Sequence, residues 1–285
     1  MESGETMVRD TDPIQLYLDL LKKTVSHSLW EDPGRPLETV IYKVHPLLRP
    51  FVKGIAALLR TFHYRLVRHV AFTPQERTSG LIWPSVGETM IGMKRLDNLQ
   101  FCVESVLREQ VPGDLIETGT WRGGACIFMR AVLAAHGVTD RRVFVADSFK
   151  GLPPPNTAKY RSDEGDQHHA MQYLAVSKET VEENFRKYGL LDDQVIFLQG
   201  WFKDTLPAAP IQKLAVMRLD GDMYESTMDA LTSLYGKLSP GGYCIIDDYA
   251  LAGCRKAVED FRIQNGISEP IAAIDAMGSF WRKSL

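Results

Sequence analysis

Two stretches of the chain concentrate carboxylates: Leu219-Asp220-Gly221-Asp222-Met223-Tyr224-Glu225 and Ile245-Ile246-Asp247-Asp248-Tyr249. Each closes a short apolar run, Leu214-Ala215-Val216-Met217 and Tyr243-Cys244-Ile245-Ile246, so the acids stand where strands would end. Alone, Asp-Gly-Asp reads as a turn and Asp-Asp as a solvated strand end. The helical stretch between them is long enough for a parallel crossover, which makes the two strands neighbours and carries four carboxylates to one edge. Crowded and desolvated, they would repel one another and raise each other's pKa unless a cation neutralised them. Hard oxygen donors with incomplete protein coordination suit Mg²⁺ or a similar divalent ion that keeps waters or substrate oxygens.

Three further strand-like segments end in polar groups. The first closes on Glu117-Thr118-Gly119-Thr120-Trp121-Arg122-Gly123-Gly124. Its glycines permit tight turning and expose backbone N–H groups to a ligand. The spacing is not GxGxxG, and the carboxylate of Glu117 repels a pyrophosphate while suiting an ammonium group or a ribose hydroxyl. The second closes on Val145-Ala146-Asp147-Ser148-Phe149, with an acid placed to accept from ribose hydroxyls, as NAD and adenosyl ligands both require. The third closes on Leu198-Gln199-Gly200-Trp201-Phe202, which offers close backbone approach and either an aromatic wall for an adenine ring or a core tryptophan.

The elements that must position these groups follow a βαβ rhythm from Lys94 onward. Helical spacing over residues 94–110, 125–136, 178–188, 226–238 and 255–265 alternates with strand-like residues 114–118, 142–147, 194–199, 213–220 and 242–247. Two short strands follow around Ile271 and Phe280. Continuous apolar strands are expected where helices cover both faces of a parallel sheet. The fold class is therefore α/β, a doubly wound open sheet, whose ligands bind beyond the carboxyl ends of the strands.

Residues 1–80 read as a helical accessory or oligomerisation segment and residues 81–285 as the catalytic domain. Asp12-Pro13 supplies an N-cap and a first-turn proline for a helix over residues 14–29, with Leu16, Leu20, Leu21 and Val25 at helical spacing. Residues 39–75 contain no acid but hold Lys43, Arg49, Lys53, Arg60, Arg65 and Arg68, with Phe51, Ile55, Leu58, Leu59, Phe62 and Leu66 on a candidate apolar face. That face would dock on its own core or on a second copy in a homo-oligomer. Peripheral contact with an anionic membrane is the alternative.

Across 285 residues, 45% are hydrophobic and 24% charged, which excludes disordered, collagen-like and membrane-spanning classes. A formal charge of −3 gives no global basic excess, so no nucleic-acid partner is expected. Cys102, Cys126, Cys244 and Cys254 are far apart with no CxxC spacing, and the start of the chain lacks an apolar signal segment; a reducing, cytoplasmic compartment is expected.

Taken together, Glu88-Thr89-Met90-Ile91-Gly92, Glu117-Thr118-Gly119-Thr120-Trp121, Asp147-Ser148-Phe149-Lys150-Gly151-Leu152-Pro153, Gly200-Trp201-Phe202, Leu219-Asp220-Gly221-Asp222-Met223-Tyr224 and Asp247-Asp248-Tyr249 resemble the macrocin O-methyltransferase (TylF-type) family. The likeness covers residues 12–33 and 81–285. It implies a class I methyltransferase, a Rossmann-like doubly wound sheet with an N-terminal helical accessory segment. It also implies S-adenosylmethionine and Mg²⁺ as cofactors, and methyl transfer to a hydroxyl, commonly a sugar hydroxyl of a glycosylated natural product such as an antibiotic.

By the same resemblance Asp220, Asp247 and Asp248 are metal ligands and Asp222 the general base. Independently of the resemblance, His168 or His169 is the alternative base, since an imidazole titrates close to working pH. Glu117, Thr118, Gly119, Asp147 and Ser148 form the cofactor site, joined by Met90, Gly200 and Trp201. Residues 160–176, which include His168 and His169, correspond to a mobile substrate lid. Residues 39–75 have no counterpart in shorter members. The competing readings are a catechol-type O-methyltransferase acting on an aromatic diol and a catalytically silent nucleotide-binding protein.

Overall fold

The computed structural model describes residues 12–37, 40–41, 44–69 and 71–285. In chain order its elements are α1 (Pro13–Val25), β1 (Arg35–Pro36), α2 (Arg49–Thr61), β2 (Val67–Arg68), α3 (Pro74–Ser79), α4 (Gly92–Arg108), β3 (Asp114–Thr118), α5 (Gly124–Ala135) and β4 (Val143–Asp147). There follow α6 (Lys178–Lys187), β5 (Val195–Gln199), α7 (Phe202–Thr205), β6 (Leu214–Leu219), α8 (Tyr224–Leu234), β7 (Leu238–Ile246), α9 (Ala252–Gln264), β8 (Ala272–Ala273) and β9 (Ser279–Arg282). The βαβ segments match the sequence expectation to within a few residues at their ends.

One seven-stranded sheet runs β5-β4-β3-β6-β7-β9-β8. Its first five strands are parallel, and β9 pairs antiparallel with β7 and β8. The chain winds from β3 outward to β5, then returns to β6 on the other side of β3. That reversal opens a crevice between β3 and β6 beyond their carboxyl ends, where doubly wound sheets hold ligands.

Alternate strand residues feed opposite cores. Leu115, Val145, Val216 and Ile245 pack with α1, α4 and α5, while Ile116, Phe144, Met217, Cys244 and Ile246 pack with α8, α9 and Trp281. With both faces covered, period-2 amphipathicity disappears and the strands read as unbroken apolar runs. All four cysteines are free and buried. Among the described residues no helix is long and apolar enough to cross a membrane.

The N-terminal region departs from expectation in two places. The Asp12 side chain accepts from the Ile14 N–H at 3.0 Å, a cap worth about 1 kcal/mol, but α1 stops at Val25 rather than at residue 29. The Ser26 hydroxyl returns a bond to the Lys22 carbonyl, and His27 turns left-handed at φ 54. The buried residues are Leu18, Leu21, Lys22 and Val25, with Lys22 paired to Asp97, whereas Leu16 and Leu20 lie on the opposite face and are exposed.

Of residues 39–75, Thr39, Tyr42, Lys43 and Val70 lie outside the described residues. Within α2 only Ala56 is buried; Phe51 and Leu58, and Phe62 just beyond, are exposed. Ile55, Leu59 and Leu66 of the expected apolar face are half-buried, so the described residues of this chain cover that face only in part.

Candidate active site

Strands β6 and β7 deliver the acids. Asp220, Asp222 and Asp248 each present a carboxylate oxygen, and these atoms lie within 4.8 Å of one another. Asp222 sits at φ 55, a left-handed conformation uncommon outside glycine, and its N–H donates to Asp248 Oδ2 at 3.0 Å. Burial pushes all three carboxyls well above their ordinary value, and the neighbouring acids push them further: Asp248 and Asp247 on Asp220, Asp220 and Asp166 on Asp222, Asp222 and Asp247 on Asp248. Hard oxygens crowded in this way fit a divalent cation.

Asp247 was expected beside Asp220 and Asp248 as an equal partner; it is bound differently. Its Oδ2 accepts from Arg95 Nη1 at 2.5 Å and its Oδ1 from Arg218 Nη2. Burial opposes its ionisation, but the two guanidinium groups outweigh burial and hold its carboxyl below the ordinary value. Arg218 also bonds Glu117 and, at 3.0 Å, Asp220. Arg95 reaches Asp275 at 3.1 Å.

Sequence reasoning missed Arg95, Arg218 and Asp275. For Arg218 a signal existed: a charge inside Ala215-Val216-Met217-Arg218-Leu219, a strand buried on both faces, must have partners nearby. Arg95, one basic residue on an amphipathic helix, carried none.

A cavity of about 390 Å³ opens at the crevice. Met90, Glu117, Gly119, Asp147, Ser148, Gly200 and Trp201 line it, as do Asp220, Asp222, Asp247, Asp248 and His168. Asp147 Oδ2 accepts from the Thr120 N–H and Oδ1 from the Phe149 N–H, both at 2.7 Å, which ties the ends of β3 and β4 together at its floor. Gly119 has φ 80, and a Cβ there would lie 1.7 Å from the Asp220 carbonyl oxygen, so only glycine fits.

Two expected members behave differently. Thr118 is fully buried and does not line the cavity. Glu117 lines it, but Oε1 is taken by Arg218 and Oε2 accepts from the Cys126 thiol at 2.9 Å. Trp201 stands at the wall rather than in the core.

The connection from β4 to α6 closes one side. His168 Nδ1 lies 2.7 Å from Asp166 Oδ2, whereas His169 is exposed and outside the lining. Tyr173 stacks on Trp83 with centroids 5.6 Å apart and lies under Arg35 at 4.5 Å. Its hydroxyl donates to the Pro84 carbonyl, and its own carbonyl accepts from Trp121 Nε1 at 3.0 Å.

The family model described as Macrocin-O-methyltransferase (TylF) matches residues 14–283. A Streptomyces olivaceus protein named 8-demethyl-8-(2,3-dimethoxy-alpha-L-rhamnosyl)-tetracenomycin-C 4'-O-methyltransferase is 52% identical, over 95% of this chain and 94% of its own. Mycinamicin III 3''-O-methyltransferase of Micromonospora griseorubida is 48% identical, over 95% of this chain and 97% of its own. The solved structure of the O-methyltransferase NovP superposes with a TM-score of 0.81 at 44% identity, covering 95% of this chain and all of that one. The calicheamicin methyltransferase CalS11, at 18% identity and a TM-score of 0.57, shares the fold. The rim of acids, the glycine turn and these likenesses agree: the chain belongs to the macrocin-O-methyltransferase (TylF) family and is an O-methyltransferase.

Proposed function

We propose that the protein transfers a methyl group from S-adenosylmethionine to a sugar hydroxyl of a glycosylated small molecule, with a divalent cation, Mg²⁺, as second cofactor. The observation that carries this reading is the juxtaposition of Asp220, Asp222 and Asp248 on one rim of the cavity that Gly119, Asp147 and Trp201 also line. One relative is named for 4'-O-methylation of a rhamnosyl-tetracenomycin, which favours a sugar over an aromatic diol.

S-adenosylmethionine, when bound, supplies an electrophilic methyl group. Asp147, which lines the cavity, would accept from its ribose hydroxyls, and the glycine backbone at Gly119 and Gly200 would allow close approach. Trp201 offers a stacking wall. Glu117, already bonded to Arg218, would meet the ligand from within the ion-pair network that Arg218 shares with Asp220 and Asp247.

Asp220 and Asp248 would hold the cation, and Asp247 would join them through the lone pairs its two arginines leave free. A divalent ion held there would supply Lewis-acid stabilisation of an acceptor alkoxide. The Asp222 carboxylate would take the hydroxyl proton as the O–CH3 bond forms and the S–CH3 bond of the donor breaks, with S-adenosylhomocysteine as the leaving thioether. Burial and the neighbouring Asp220 push this carboxyl up, which makes its ionised form a stronger base. His168 is the competing base, since it lines the cavity and Asp166 orients it.

The face of α2 that carries Phe51 and Leu58 is, in this reading, covered by a second copy of the chain. Light scattering tests that, and flotation with anionic vesicles would reveal membrane contact instead. Function is tested by mass spectrometry of rhamnosylated acceptors. A gain of one methylene mass that needs S-adenosylmethionine and disappears with EDTA supports the reading, and a gain confined to catechols overturns it.

A further inference from the structure

We infer that Asp163 is a positioning residue for Asp222: its carboxylate, from the connection between β4 and α6, caps α8 and so anchors the loop that carries the base. The inference rests on the assignment of Asp222 above. Among the described residues, Asp163 is the only fully buried one between Phe149 and Val181, in a stretch whose other residues are half-buried or exposed. A lone buried carboxylate in an exposed segment must be satisfied by partners outside that segment.

Those partners are the first two amides of α8. Asp163 Oδ1 accepts from the Tyr224 N–H at 2.6 Å and Oδ2 from the Glu225 N–H at 3.2 Å. The residue at the helix's own cap position, Met223, offers no side-chain acceptor, so the cap comes from about sixty residues upstream. Asp222 is two residues before Tyr224 and holds a left-handed φ of 55, so the bonds at either end of its short loop help to fix where its carboxylate points. One pin is the bond from the Asp222 N–H to Asp248, and the other is the Asp163 cap.

A second element is shaped for the same carboxylate. A Cβ on Gly253, at the start of α9, would lie 2.6 Å from Asp163 Oδ1 and 3.2 Å from the Tyr224 nitrogen. The Tyr160 ring meets the Tyr224 ring at 5.2 Å and closes the remaining side.

The test compares Asp163→Ala, Asp163→Asn and Gly253→Ala with wild type. It measures kcat and KM for the acceptor, the dissociation constant of S-adenosylhomocysteine, and amide hydrogen exchange over residues 221–226. Asp163→Ala is expected to lower kcat about tenfold, the worth of one helix cap, and to speed that exchange by about the same factor. S-adenosylhomocysteine binding stays within about twofold. Asp163→Asn, which keeps an accepting oxygen, recovers most of kcat, and Gly253→Ala reproduces the loss. If Asp163→Ala does not fold, the other two variants carry the test. Unchanged kcat and exchange, a loss shared equally by ligand binding, or failure of Asn to rescue would overturn the inference. Asp222→Asn is assayed in parallel: full turnover there rejects Asp222 as base, while exchange over residues 221–226 still reports on Asp163.

Discussion

Glu117 of β3 and Arg218 of β6 are register partners in the parallel sheet, and the Arg218 guanidinium joins Glu117 to Asp247 at the end of β7. The side chains of all three are almost wholly buried. Removing the cation leaves two carboxylates in a low-dielectric interior with one fewer partner each. Arg218→Met is expected to cost about 3–5 kcal/mol in unfolding free energy by urea titration. Arg218→Lys recovers only part, because an ammonium cannot reproduce the fork that bridges three strands.

Asp220 and Asp222 lie in one cluster yet are given different tasks, and equilibrium binding of Mn²⁺ separates them. Asp222→Asn is expected to lower turnover by about 10²–10⁴-fold while leaving Mn²⁺ affinity within about threefold. Asp220→Asn and Asp248→Asn are expected to weaken Mn²⁺ binding at least about tenfold. A weakening by Asp222→Asn equal to that of Asp220→Asn would make Asp222 a ligand and return the role of base to His168.

At Gly119 the backbone of β3 passes the carbonyl of Asp220 with no room for a methyl group. Gly119→Ala adds a left-handed alanine, about 1–2 kcal/mol, to a clash with rigid backbone. Calorimetric titration with S-adenosylhomocysteine should show affinity reduced by at least about tenfold, alongside a lower melting temperature. Wild-type affinity in this variant would mean that the turn is not part of the cofactor site.

Tyr173 gives a pH signature. Burial raises its phenol to about 12 from 10.0, although Arg122 and Arg35 pull the other way. The folded state therefore holds a proton that the unfolded chain has lost between those two values. The contribution is complete below pH 10 and disappears as pH rises through about 12. Tyr173→Phe should remove an ionisation seen near pH 12 in the tyrosinate absorbance titration, and remove none below about pH 11. It should also cost about 1 kcal/mol at neutral pH through the lost bond to Pro84.

Much of this was legible in the linear order of residues. Strands buried on both faces lose their polar alternation, so Leu214 to Met217 and Tyr243 to Ile246 announce themselves as continuous apolar runs. Parallel strands joined by right-handed crossovers all end on one edge, so the residues after each run were bound to share it. That is why Asp147, Asp220, Asp222, Asp247 and Asp248 could be placed around one cavity in advance.

What could not be read is which carboxylate faces which partner. Asp247 and Asp248 are adjacent in the chain, yet one points to two arginines and the other into the acid cluster. Arg95 is 152 residues from Asp247, and Tyr173 is 89 residues from Pro84. Local pattern records the period of an element and the chemistry at its ends. The rotation of each side chain about that end, and the charge that meets it, depend on elements remote in the chain being packed first.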